Sequence, residues 1–147
     1  MVKKILVPID GSPTSQEALV KAVNLARGLN AEITIINVTF TPEAYFAGYT
    51  FPHGIQLSHE DSVEGGRQVI NEALENVEHE NIKITKVVEP GNPPQVILDY
   101  AEEVGIDLIV IGSIGHNPLA SAFFGSVTQR VLLKAKCPVL VVKPNEA

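Results

Sequence analysis

The chain lacks most of the features that make a small protein easy to classify. Cys137 is the only cysteine among 147 residues, so no intrachain disulfide can form, which suits a reducing compartment. There is no tryptophan and only one methionine. No apolar run approaches the roughly 20 residues that a membrane helix needs. The run that follows Lys3 and Lys4 is too short for the apolar region of a signal peptide, and Asp10 interrupts it. A soluble, cytoplasmic protein with no membrane insertion is the expectation. Basic surface is scarce as well: the formal net charge is −6, and no Lys or Arg occurs from Val87 to Gln129. Nonspecific nucleic-acid binding draws its affinity from basic side chains on phosphates, so no nucleic-acid partner is expected. The spacing of His53, His59 and His79 matches no zinc pattern. The phosphate-loop pattern G-x4-G-K-S/T is absent, and so is G-x-G-x-x-G.

What the chain does have is a composition of 45% hydrophobic and 19% charged residues, which fits a folded globule of one domain, residues 1–147. Ile5 to Ile9 is a short, continuously apolar run bounded by Asp10-Gly11-Ser12-Pro13, the signature of a strand buried on both faces. Ser12 followed by Pro13 reads as an N-cap and first helical residue, with a Thr14/Glu17 capping box as the alternative. Ala18, Ala22, Leu25, Ala26 and Leu29 then follow at helical spacing, with a stop at Gly28-Leu29-Asn30. Glu32 to Thr39 is rich in β-branched residues and reads as a second strand. Phe40 to Ser58 has no period and reads as a long loop; a helix is expected from His59 to Glu80 and a strand from Ile82 to Val88. Val96, Ile97, Tyr100, Ala101 and Val104 form a helix face that stops at Gly105. Leu108 to Ile111 is the most apolar strand, Ser126 opens another helix, and Pro138 to Val142 is the last strand. Strands and helices alternate throughout, which means an α/β fold: a parallel sheet with helices on both faces.

The segment with most chemical content is the loop from Gly112 to Gly125, between a buried strand and a helix. In open parallel sheets, ligands bind outside the carboxyl ends of the strands. Glycines there let the main chain approach phosphate, and the N–H groups of the next helix attract negative charge. Ser126 and Thr128 add hydroxyl donors in the first turn of that helix. On spacing alone, a simple turn at Gly112 and Gly115 with a helix start at Gly125 remains open.

Gly112, Gly115, Gly125 and Ser126 meet the pattern G-x2-G-x9-G-S/T. With the opening stretch Lys3 to Ser12, the strand Asp107 to Gly112 and the ending Cys137 to Val142, the chain resembles the ATP-binding branch of the universal stress protein family. The resemblance covers essentially the whole chain. It implies a Rossmann-like, open five-stranded parallel sheet in the order 3-2-1-4-5, with an adenine nucleotide (ATP, or ADP or AMP) at the break between strands 1 and 4. Pro8 and Asp10 would line the adenine and ribose side, and Val38 would meet adenine through its main chain. Ile111, Gly112, Ser113, Ile114 and Gly115 would hold ribose and the first phosphates. Gly125, Ser126 and Val127 would take the remaining phosphates. Asp10 at a strand end is open to two other roles, metal ligand or turn and helix cap. Where the family often carries a polar residue and then Arg or Lys, this chain has Ile114 and then His116-Asn117. A triphosphate here would depend on amides, hydroxyls, the helix end and Mg2+, and AMP or ADP would lose less from the missing cations.

Fast phosphoryl transfer needs charge stabilisation and an aligned nucleophile. The loop holds neither lysine nor arginine, and His116 is its only titratable group. Binding with slow or no hydrolysis is therefore expected, in a nucleotide-dependent regulator or sensor whose protein partner the sequence does not name. Two other readings stay open: a ligand-independent interaction module, and a nucleotide-using enzyme. Five of the eight aromatic residues lie between Phe40 and Phe51, where they could cover adenine, face a partner or pack locally. Cys137 reads as a buried small residue. In the family order, Val139 to Val142 forms an edge strand, and pairing it with a second copy would give a homodimer.

Overall fold

The computed structural model describes residues 1–39, 59–114 and 124–144, with the main chain alone at 59–61. Its elements are β1 (Lys4–Pro8), α1 (Pro13–Leu29), β2 (Glu32–Thr39), α2 (His59–Glu75), β3 (Ile84–Pro90), α3 (Pro93–Val104), β4 (Leu108–Gly112), α4 (Ser126–Lys134) and β5 (Val139–Val142). All strand pairs are parallel, and the sheet order is β3-β2-β1-β4-β5. The alternation of elements and the expected strand order are both present. The expected Phe40–Ser58 loop lies outside the described residues.

Why the central strands are continuously apolar is now explicit. Successive β side chains point to opposite faces, and both faces are covered. Ile5, Val7, Ile33 and Ile35 pack beneath α1 and α2 with Leu19, Val23 and Ile70. Leu6, Ile36, Ile109 and Ile111 pack on the other face with Ile97 of α3 and Val131 of α4. Complete burial of each such side chain stabilises the fold by about 1.5–3 kcal/mol relative to exposure.

Helix α1 begins as the sequence reads. Ser12 is extended (φ −73, ψ 156), its hydroxyl accepts from the Ser15 N–H at 3.2 Å, and Pro13 opens the helix. The Thr14/Glu17 capping box is not the device used. Asn30, in the left-handed region at φ 54, ends the helix.

The end of one helix and both ends of one strand differ from expectation by two residues or more. Helix α2 ends at Glu75, not Glu80. Its end would have run through Glu75, Glu78 and Glu80, and carboxylates oppose the negative end of a helix dipole, with no cation in the last turn to offset them. The Asn76 carboxamide instead donates to the Glu72 carbonyl at 3.2 Å, and Asn81 turns the chain at φ 68. Strand β3 starts at Ile84 and not Ile82, because the Ile82 N–H bonds back to the His79 carbonyl in that turn. Pairing with β2 then carries β3 on to Pro90, opposite Thr39. At the opposite end of the sheet, Cys137 is half-buried rather than buried, and partial burial raises its thiol pKa.

Candidate functional site at the strand switch point

Strand order reverses between β1 and β4: from β1 the chain moves to β2 and β3, and then crosses to β4 and β5. The loops leaving β1 and β4 therefore diverge, and a crevice opens at their carboxyl ends. Pro8 closes β1 half-buried, and Asp10 stands exposed just beyond it. The Ser12 N–H donates to Asp10 Oδ1 at 2.9 Å, so this carboxylate makes an Asx-type turn while Ser12 caps the helix. Gly11, at φ 86, supplies the left-handed step of that turn. Val38 is half-buried near the end of β2.

The β4 side is built by tying up carbonyls. The Thr128 hydroxyl donates to the Gly112 carbonyl at 2.7 Å. The Gly125 N–H donates to the Ser113 carbonyl at 2.8 Å. The Thr14 hydroxyl donates to the Ile114 carbonyl. Three successive acceptors are thus held by donors from α4, from the residue before it, and from α1. A free carbonyl dipole facing the crevice would repel an anion. Engaging all three lowers that repulsion and fixes the strand-to-loop path. The Ser113 N–H is bonded to the Val142 carbonyl of β5, and Ser113 is 4% exposed.

Gly112 has a packing reason for being glycine. A Cβ there would lie 2.9 Å from the Thr14 carbonyl carbon and 3.0 Å from its oxygen, and main chain gives way poorly. The close approach of β4 to the start of α1 also places the Thr14 hydroxyl at Ile114.

Helix α4 presents a different N-terminus from α1. Its N-cap is Gly125, extended at φ −60 and ψ 159, with no side-chain cap bond and no acidic residue in the first turn. Ser126 is exposed. The Val127 side chain packs into the core beneath α4, so only its main chain faces outward chemistry. Such an end presents N–H groups and the positive end of the dipole.

The structure brings Pro8, Asp10, Val38, Ile111, Gly112, Ser113 and Ile114 to the carboxyl ends of β1, β2 and β4. The Gly125-to-Ser113 hydrogen bond brings the Gly125, Ser126 and Val127 segment to the same place. Gly115, His116 and Asn117 lie outside the described residues, as does the aromatic stretch Phe40–Phe51. One expectation needs correcting: the Thr128 hydroxyl is not an outward donor, since it is 3% exposed and engaged with Gly112. The sequence offers Thr14 only as an alternative helix cap, and it does not single out Asn37 for any role. The only signal for them was a polar side chain within an otherwise buried stretch, and both are buried. No group of three or more His, Cys, Asp or Glu among the described residues could hold a metal ion.

Comparison with known proteins agrees with the fold. The model of the universal stress protein family matches residues 1–143. Universal stress protein MJ0531 of Methanocaldococcus jannaschii is 36% identical over 143 residues, covering 97% of this chain and 83% of that protein. Universal stress protein YxiE of Bacillus subtilis is 33% identical, covering 97% of this chain and all of that one. Among solved structures, the M. jannaschii protein MJ0577 superposes with a TM-score of 0.73 at 30% identity, covering 100% of this chain and 99% of its own. A universal stress protein solved in complex with cAMP shares the fold at 23% identity and a TM-score of 0.71, covering 97% of this chain and 98% of its own. One from Archaeoglobus fulgidus in complex with dAMP does so at 23% and 0.67, with the same coverage. On the sequence match and the fold together, the chain belongs to the universal stress protein family.

Proposed function

We propose that the chain binds an adenine nucleotide at the β1–β4 switch point and acts as a nucleotide-dependent regulator or sensor in the stress response, with slow or no hydrolysis. The observation that carries this is the crevice wall: three consecutive carbonyls, Gly112 to Ile114, are engaged, beside a helix N-terminus with no side-chain cap. Such a wall favours phosphate. Two structurally similar universal stress proteins were solved with cAMP and dAMP, which supports the adenine nucleotide class.

In this reading Asp10 and Pro8 border ribose and adenine, and Val38 meets adenine through its main chain. Ile111 to Gly115 take ribose and the first phosphates, with His116 and Asn117 in the same loop, and Gly125 to Val127 take the outer phosphates. Mg2+ would accompany a di- or triphosphate, since no Lys or Arg lies between Val87 and Gln129. The protein would work in the cytoplasm. Among the described residues no helix is long and apolar enough to cross a membrane.

A homodimer through Val139–Val142 belongs to the same proposal. Strand β5 has β4 on one side and, among the described residues, no strand on the other. Leu140 is 40% exposed on the strand, and Leu133 on α4 is 81% exposed. Pairing β5 with a second copy would satisfy the open strand edge.

The test is calorimetric titration of nucleotide-stripped protein with adenosine, AMP, ADP and ATP, with and without Mg2+, beside a Ser126→Glu variant. A carboxylate in the first turn of α4 suits the helix dipole, so the fold keeps its stability while phosphate is repelled. Micromolar binding in the wild type is expected, with ATP affinity reduced at least tenfold in Ser126→Glu and adenosine affinity kept. Absence of heat with every nucleotide, from folded protein, would leave a ligand-independent dimeric interaction module as the better reading.

A further inference from the structure

Helix α2 carries two adjacent glycines in its interior, Gly65 and Gly66, although glycine weakens a helix by about 1 kcal/mol relative to alanine. Only one of them has a packing reason. A Cβ on Gly65 would meet nothing within 4 Å, whereas one on Gly66 would lie 2.6 Å from Val88 Cγ1 and 2.7 Å from Asn37 Oδ1. The bare Cα of Gly66 leaves room for the Asn37 side chain between α2 and the sheet. Asn37 is 8% exposed, and its Nδ2 donates to the Ile9 carbonyl at 2.8 Å.

That carbonyl lies where β1 leaves the sheet. The Ile9 N–H still donates to the Ile36 carbonyl at 2.9 Å, the last ladder contact of β1 with β2. Alternate residues of β2 serve different neighbours: Ile36 bonds toward β1, and the Thr39 carbonyl accepts from Gly91 on the β3 side. The same alternation turns the Val38 main chain toward β1, and continuing the ladder would set the Val38 N–H on the Ile9 carbonyl. In this chain the Asn37 carboxamide is a donor to that carbonyl. The next residue is Asp10, whose Oδ1 accepts from the Ser12 N–H at the cap of α1.

We propose that Asn37 is a positioning residue for the nucleotide site: seated under Gly66, it holds the Ile9 carbonyl, which sets the path of Asp10 and leaves the Val38 peptide edge for the base. The proposal rests on the adenine nucleotide reading and extends it to a residue that does not touch the ligand. Position and ligand are separable by experiment, because the path of residues 9–12 can be measured without nucleotide.

Asn37→Asp keeps the shape and removes the donor, and Asn37→Leu removes polarity altogether. Gly65→Ala changes the same helix over open space and is the control. Amide hydrogen exchange of the nucleotide-free proteins should rise about tenfold or more at Ile9 and Ser12 in both Asn37 variants, the scale expected when a buried acceptor loses its donor, and stay unchanged in Gly65→Ala. Affinities for adenosine, AMP and ATP should fall by one common factor, leaving the ATP-to-AMP ratio as in the wild type. A loss of packing alone would raise exchange across the whole domain. Unchanged exchange at Ile9 and Ser12 overturns the proposal, and so does an affinity loss confined to ATP. If the Asn37 variants do not fold, Gly66→Ala displaces the same carboxamide from the other side and should give the same local pattern. If the wild type binds no nucleotide, the ligand reading fails with the site role, and the exchange data still decide whether Asn37 sets the β1 exit.

Discussion

Replacing each interior glycine of α2 by alanine, one at a time, should move stability in opposite directions. Gly65 is exposed, with no heavy atom near the new methyl, so Gly65→Ala should keep the full helix-propensity gain of about 1 kcal/mol. For a chain of this size that is a rise in Tm of roughly 2–4 °C. Gly66→Ala has the same gain in propensity but places its methyl 2.6 Å from Val88 Cγ1 and 2.7 Å from Asn37 Oδ1, inside van der Waals contact. Overpacking of this kind costs about 1–3 kcal/mol. Turning the Asn37 carboxamide away relieves only the contact at Oδ1, leaves the overpacking against Val88, and deprives the Ile9 carbonyl of that donor, which costs about 1–3 kcal/mol more. Set against the propensity gain, the net loss is about 3 kcal/mol, so the two neighbours should differ by about 4 kcal/mol.

Urea melts at one fixed protomer concentration read this difference with any contribution from assembly held in common. If Gly66→Ala matches Gly65→Ala within about 0.5 kcal/mol, α2 does not sit against β2 and β3 as described, and the account of Asn37 loses its support.

Thr128→Val preserves shape and removes the donor to the Gly112 carbonyl, so it should destabilise by about 1–2 kcal/mol in the same urea assay, since the site is 3% exposed. Asp107 has its pKa lowered, chiefly by the Lys3 and then the Lys4 main-chain N–H groups. A depressed folded-state pKa means that its contribution is present above the unfolded-state value and is lost as pH falls through the folded-state value. Asp107→Asn should therefore flatten the acid limb of a plot of stability against pH, measured by melts from pH 7 down to the acid transition, and a parallel limb would refute the assignment.

The fold was legible where local chemistry and global packing agree. The double-sided burial of Ile5 to Ile9 reads directly as continuous apolarity, and Ser12-Pro13 announces a helix start that the structure keeps. The end of α2 was not legible from apolar spacing: Val77 continues the apolar face, yet the glutamates at the helix end and the Asn76 cap close it at Glu75. The start of β3 then follows from pairing with β2, information that resides in another segment. At the candidate site, glycine spacing marks where a loop leaves β4. It does not show that Gly112 is glycine because Thr14 is beside it, or that the Thr128 hydroxyl points inward. Those contacts join residues 98, 100 and 16 positions apart, and nothing in a local window distinguishes such a threonine from one on a solvated turn.

The same contacts bear on how, in the proposed reading, a loop without lysine or arginine would favour an anion. Without lysine or arginine from Val87 to Gln129, this stretch of chain offers phosphate no side-chain cation, and the orientation of each of its peptides counts. A peptide has a negative end as well as a positive one, so a loop attracts phosphate only if its carbonyls are held away or engaged. Here the donors to three consecutive carbonyls come from different parts of the chain: Thr14 in α1, Gly125 before α4, and Thr128 within it. The capped helix α1 directs its Ser12 hydroxyl to its own first turn, while α4 leaves its N-terminus without a side-chain cap. The polarity of the crevice is therefore a property of tertiary packing, and a substitution at Thr14, which carries no charge, reaches the loop as directly as one within it.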